Sequence, residues 1–135
     1  MNTGENNSHQ YNFDYKLDFD KDGQNLELEV DYNSYNGDSE TENIFSGYFI
    51  RPDYFEFTKT DRNRTTINLD YVDPLSETTK LELGLQSRLF NNTINYESDG
   101  RSQNMMGEYI PTKTFFDYSR DIYSAYATYG KKYEK

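Results

Sequence analysis

From Tyr11 onward the chain alternates. Tyr11, Phe13, Tyr15, Leu17 and Phe19 share one parity; Asn12, Asp14, Lys16, Asp18 and Asp20 share the other. Successive side chains of a strand point to opposite faces, so this contrast predicts a strand with one apolar and one polar face. Asp22-Gly23 then reads as a hairpin turn, because glycine takes positive φ without a Cβ clash. The partner strand carries Leu26, Leu28, Val30 and Tyr32 against Glu27, Glu29 and Asp31. The same unit recurs later. Thr65, Ile67, Leu69 and Tyr71 alternate with Thr66, Asn68 and Asp70, and Asp73-Pro74-Leu75-Ser76-Glu77 makes a turn. Leu81, Leu83, Leu85 and Leu89 then stand against Lys80, Glu82, Gln86 and Arg88. Pro74 has no N–H to donate to a ladder and so ends its strand.

These patterns predict hairpins near 11–36 and 62–96 and a final strand near 117–130, in one body spanning 11–135. Residues 1–10, polar and Asn-rich, read as a loop or disordered end. Two long connections are expected, near 33–60 and 91–117. In the last strand tyrosine falls on both parities; we assign Tyr123, Ala125, Ala127 and Tyr129 to the apolar side. The fold class is all-β: an antiparallel up-and-down meander of about five strands. Short turns on one side and long connections on the other are the layout of a transmembrane β-barrel wall.

Composition narrows this further. The net charge is −10, with 24 acidic against 14 basic residues, and no basic patch of the kind that binds nucleic acid. There is no cysteine, which excludes disulfides and thiolate metal sites. Aromatic residues are 17% of the chain, too many for a disordered acidic polypeptide and suited to a pleated surface. No apolar run approaches the roughly 20 residues of a membrane helix. The start, Met1 to Ser8, has neither a basic region nor an apolar stretch. It is not a signal peptide, and the chain is expected to be an internal piece of something longer. A soluble sheet with one covered face shows the same alternation. It would need a partner layer, however, and no helix or second sheet is predicted. A larger barrel in lipid, of which this is a segment, needs none and leaves no bare edges.

Leu69-Asp70-Tyr71-Val72-Asp73-Pro74-Leu75, Thr79-Lys80-Leu81-Glu82-Leu83-Gly84-Leu85 and the run Phe116 to Tyr133 resemble the barrel of TonB-dependent outer-membrane receptors of the Bacteroidetes-type barrel family. The resemblance spans about Tyr11 to Lys135. It implies a plugged barrel of about 22 strands in the outer membrane of a Gram-negative bacterium. Such a receptor takes up a nutrient such as an iron chelate, a vitamin or a glycan. The partners it implies are outer-membrane lipid, a plug domain, the remaining barrel strands and the TonB system. Plug, TonB-box and terminal strand have no counterpart in these residues, so the resemblance implies a mid-barrel fragment, with energy coupling in parts elsewhere.

Candidate chemistry is sparse. Asp18, Asp20, Asp22 and Glu29, with Gly23 between, match the spacing of an EF-hand calcium loop. Both flanks alternate with period two, however, where that motif needs helices, so no metal site is expected. A soluble antiparallel β binding module, with calcium as its ligand in one version, is the alternative function. His9 lies alone in a polar stretch, and no phosphate loop, nucleophile elbow or placed carboxylate pair is present. We expect no enzyme and no cofactor. Lys16 and Lys80 are candidates for cross-strand ion pairs or for holding a plug, and ordinary solvated charge on the wet face is the competing role. Phe45, Tyr48, Arg51 and Tyr54 form the candidate ligand-contact loop, since aromatics and arginine are enriched at recognition surfaces. The competing role for that loop is packing on itself or on neighbouring loops.

Overall fold

The structure is a computed structural model and describes residues 1–47 and 51–133. Five strands follow in chain order: β1 (Asn2–Asp18), β2 (Asn25–Asn43), β3 (Tyr54–Ser76), β4 (Thr79–Gln103) and β5 (Tyr109–Lys131). They form one sheet in the order β1-β2-β3-β4-β5, each strand bonded to its sequence neighbours. The antiparallel meander predicted by the alternation is therefore the architecture found.

The chain divides into two compact units, and every strand contributes to both. Gln10–Asn33, Arg64–Phe90 and Arg120–Lys135 make the first, called here the amphipathic unit. Met1–His9, Ser34–Asn63 and Asn91–Ser119 make the second, the polar unit.

In the amphipathic unit each strand contributes roughly nine to thirteen residues, close to the roughly 9–11 that cross a bilayer obliquely. Two short turns close its hairpins. In the first, the Phe19 and Gln24 amides donate to the Gln24 and Lys21 carbonyls, both at 3.0 Å, and Gly23 holds φ at +77°. The Lys21 ammonium reaches Asp73 at 2.6 Å. In the second turn, at Glu77 and Thr78, the Thr78 carbonyl accepts from the Lys132 amide at 2.7 Å. The apolar parity is uncovered. Leu83 and Leu85 are 41% and 57% exposed, while Leu26, Leu28, Ile67, Leu69 and Leu81 are half-buried only by their neighbours in the sheet. The Tyr11 and Tyr32 rings stack at 6.3 Å across β1 and β2. Tyr126 donates to Asp70 and lies over Gly84. That puts the even parity of β5 with the polar residues, and Tyr123, Ala125, Ala127 and Tyr129 on the apolar side, as assigned.

The polar unit corrects three boundaries. Residues 1–10 are strand, not a loop or disordered end: β1 starts at Asn2. Met1 N donates to the Glu42 carbonyl at 3.0 Å and accepts on its own carbonyl from Glu42 N at 2.9 Å. The 33–60 connection shrinks to the stretch between Asn43 and Tyr54, and the 91–117 connection to the five residues between Gln103 and Tyr109. The cause is chemical. Here both parities are polar, so a strand leaves no hydrophobic contrast to detect, while its backbone pairs as well as before. The last connection is compact because Asn104 organises it. Its side chain accepts from Met106 N at 2.9 Å and Glu108 N at 3.0 Å and donates to the Glu108 carboxylate at 2.9 Å. Gly107 supplies φ of +81°. Among the described residues Tyr54 is the one buried hydrophobic side chain.

Candidate functional site

Arg51 organises one end of the polar unit. Its guanidinium sits 4.8 Å from the Tyr54 ring centre, 5.0 Å from Phe45 and 5.4 Å from Tyr109. Phe45 and Tyr54 stack at 5.9 Å, and Arg51 Nη2 donates to the Arg101 carbonyl at 3.2 Å. A planar cation with weak hydration suits such a stack better than lysine would. Asp53 pins the strand exit by accepting from Phe45 N at 2.7 Å. Gly100 makes the close approach possible: a Cβ there would lie 3.1 Å from that of Tyr54. Of the predicted ligand-contact residues, Phe45, Arg51 and Tyr54 are thus brought together, and Tyr48 lies outside the described residues. Much of their surface is spent on one another, as the packing role for this loop anticipates. Tyr109 and Arg101 escaped the sequence reading. They fall in a stretch with no alternation, and no local signal joins them to Arg51.

Beside this cluster Glu56 is a hub. Its carboxylate accepts from Tyr96 OH at 2.5 Å, Asn43 Nδ2 at 3.0 Å and Arg101 Nη1 at 3.1 Å. The Tyr96 hydroxyl, with help from Asn43 and Arg101, holds the Glu56 carboxyl below its ordinary value of 4.5, against an opposing desolvation. A depressed folded value means the stabilisation is complete above pH 4.5 and is lost as pH falls through the folded value. Tyr96→Phe should therefore move the acid-induced loosening of these strands to higher pH. Hydrogen exchange of the 54–58 and 94–101 amides against pH measures this; an unshifted profile would contradict the hub.

The polar parity of the amphipathic unit carries a second array. Lys16 faces Glu27 at 3.8 Å across β1 and β2, one of the two expected cross-strand pairs. Lys80 instead pairs within its own strand, with Glu82 at 2.5 Å. Gln86 Nε2 donates to Asn68 Oδ1 at 2.7 Å, and Asn68 Nδ2 donates to Glu29 at 3.3 Å, making a ladder over β2, β3 and β4. Tyr126 and Asp70 extend it to β5. These bonds make a continuous polar array from β2 to β5 on that parity.

The EF-hand candidates are not gathered. Asp18 ends β1, Asp20 and Asp22 occupy the turn, and Glu29 is engaged by Asn68. Among the described residues no three His, Asp or Glu side chains group as they would around a metal ion.

One side of the amphipathic unit is thus an open apolar surface and the other a charged ladder, joined by tight turns. No curated protein matches the chain. The model of an outer membrane protein beta-barrel family matches residues 17–135, which takes in the end of β1 and all of β2 to β5. The chain belongs to that outer membrane protein beta-barrel family, and its five strands are a segment of a barrel wall in the outer membrane.

Proposed function

We propose that this segment belongs to a TonB-dependent receptor of a Gram-negative outer membrane, which takes up a scarce nutrient such as an iron chelate, a vitamin or a glycan. The observation that carries the reading is the split of the amphipathic unit into an uncovered leucine and tyrosine surface and a bonded polar ladder. Lipid suits the first; water or a plug domain suits the second. The segment has no catalytic role. It supplies wall, and the polar unit supplies surface for the nutrient. Its partners are outer-membrane lipid, the plug and remaining strands of the full-length protein, and the TonB system through other parts of that protein.

The test uses the intact gene in its host. Deletion should abolish growth on one scarce nutrient from a panel of ferric chelates, cobalamin and glycans. Removing the energy-transducing inner-membrane complex should reproduce that loss. Growth untouched by both on every nutrient would reject the receptor and leave the barrel standing.

A further inference from the structure

The polar unit segregates charge between its two parities. On one parity lie Glu5, Asp38, Glu40, Asp61 and Lys59. On the other, between Glu56 and Arg62 of β3, come only Thr58 and Thr60, with Gly37, Ser39 and Thr41 on β2 and Asn2, Gly4 and Asn6 on β1. Side chains of this parity share a shallow groove of about 350 Å³ with Tyr35, and Glu5 and Asp38 are the charged residues that also line it. Two glycines form its floor. A Cβ on Gly4 would sit 3.1 Å from the Asp38 carbonyl, and one on Gly37 would lie 2.6 Å from the Tyr35 hydroxyl. Tyr35 is 37% exposed, and its ring is backed by the Arg62 guanidinium at 5.7 Å. Asn2 is held in place by Ser39, whose hydroxyl donates to it at 3.3 Å.

From this we infer that the groove floored by Gly4 and Gly37 binds a neutral oligosaccharide. The inference rests on the receptor reading and narrows its nutrient to one class. Amides and hydroxyls both donate and accept, as sugar hydroxyls do, so each can pair with a ligand hydroxyl in either sense. An aromatic ring on the same floor offers a rigid apolar face at low entropic cost, which suits the C–H side of a pyranose. An anionic iron chelate would be drawn by clustered cations, whereas the charged residues lining this groove are the acids Glu5 and Asp38. A corrin-like ligand would want more apolar area than one tyrosine gives.

The experiment uses the full-length protein in detergent, titrated calorimetrically with neutral gluco-, fructo- and manno-oligosaccharides of five to eight residues, a ferric catecholate chelate and cyanocobalamin. One oligosaccharide series should bind, and the other two probes should not. Tyr35→Ala should weaken that binding about tenfold, and Thr60→Val should weaken it by a similar factor, by removing a hydroxyl from the groove. Phe57→Ser, on the opposite parity, should leave the affinity unchanged and shows that the fold tolerates a change here. Unchanged binding in both groove variants, or no binding by any oligosaccharide, overturns the inference. Energised uptake of the chelate or of cobalamin in the growth panel would also overturn it, yet would support the receptor. Absence of any uptake together with oligosaccharide binding sensitive to Tyr35 rejects the receptor and sustains the groove.

Discussion

Replacing Gly84 with alanine should destabilise the barrel by about 1–3 kcal/mol, the usual cost of forcing atoms into filled space. The space is filled by Tyr126. A Cβ on Gly84 would overlap the tyrosine ring and approach Asp70 Oδ1 to 2.7 Å. Glycine normally weakens a strand, so its presence inside β4 calls for a reason, and the ring lying over it from β5 is that reason. The ring is in turn held by the hydroxyl's bond to Asp70 on β3, so three strands meet at one point. Urea unfolding of the intact protein in phospholipid vesicles measures the cost. The double variant Gly84→Ala with Tyr126→Ala discriminates further. With the ring gone the new methyl group has room, so the pair should cost less than the sum of the two single changes. Strict additivity would contradict the ring-on-glycine contact.

The second large effect concerns the neighbouring residue. Leu85 points the other way and is 57% exposed. Leu85→Arg should cost about 2–4 kcal/mol if hydrocarbon covers it near the bilayer midplane. Thr66→Lys, on the polar parity of β3, should cost no more than about 0.5 kcal/mol. The same vesicle unfolding assay compares them. Equal costs would mean that the two sides of the amphipathic unit face the same medium, and the barrel orientation would fall. The contrast is sharper than any single value, because both substitutions add one flexible cation to a strand of one sheet.

How far the sequence could be read depends on where hydrophobic contrast exists. Leu26, Leu28, Ile67, Leu69, Leu81 and Leu83 alternate with charges, and the predicted strand bodies coincide closely with the amphipathic unit. Even the ambiguous strand resolved as assigned, because Tyr126 turned out to serve Gly84 and Asp70. The polar unit was illegible for the converse reason. Asn2 to His9 pairs with β2 through its backbone, and nothing in so uniformly polar a stretch reports that. Local composition did pick out Phe45, Arg51 and Tyr54. It could not find Tyr109, more than fifty residues away, or the Glu56, Tyr96 and Arg101 hub, which exists only once β3 and β4 are in register.

Because each strand bonds only to the one before and after it, this part of the wall contains little long-range pairing. Closing a contact between sequence neighbours costs modest loop entropy, and topologies of that kind form quickly for their size. The growing sheet can therefore take up one hairpin at a time during insertion. Each arrival covers the previous rim and offers a fresh one, so a bare edge is never more than one addition from being capped.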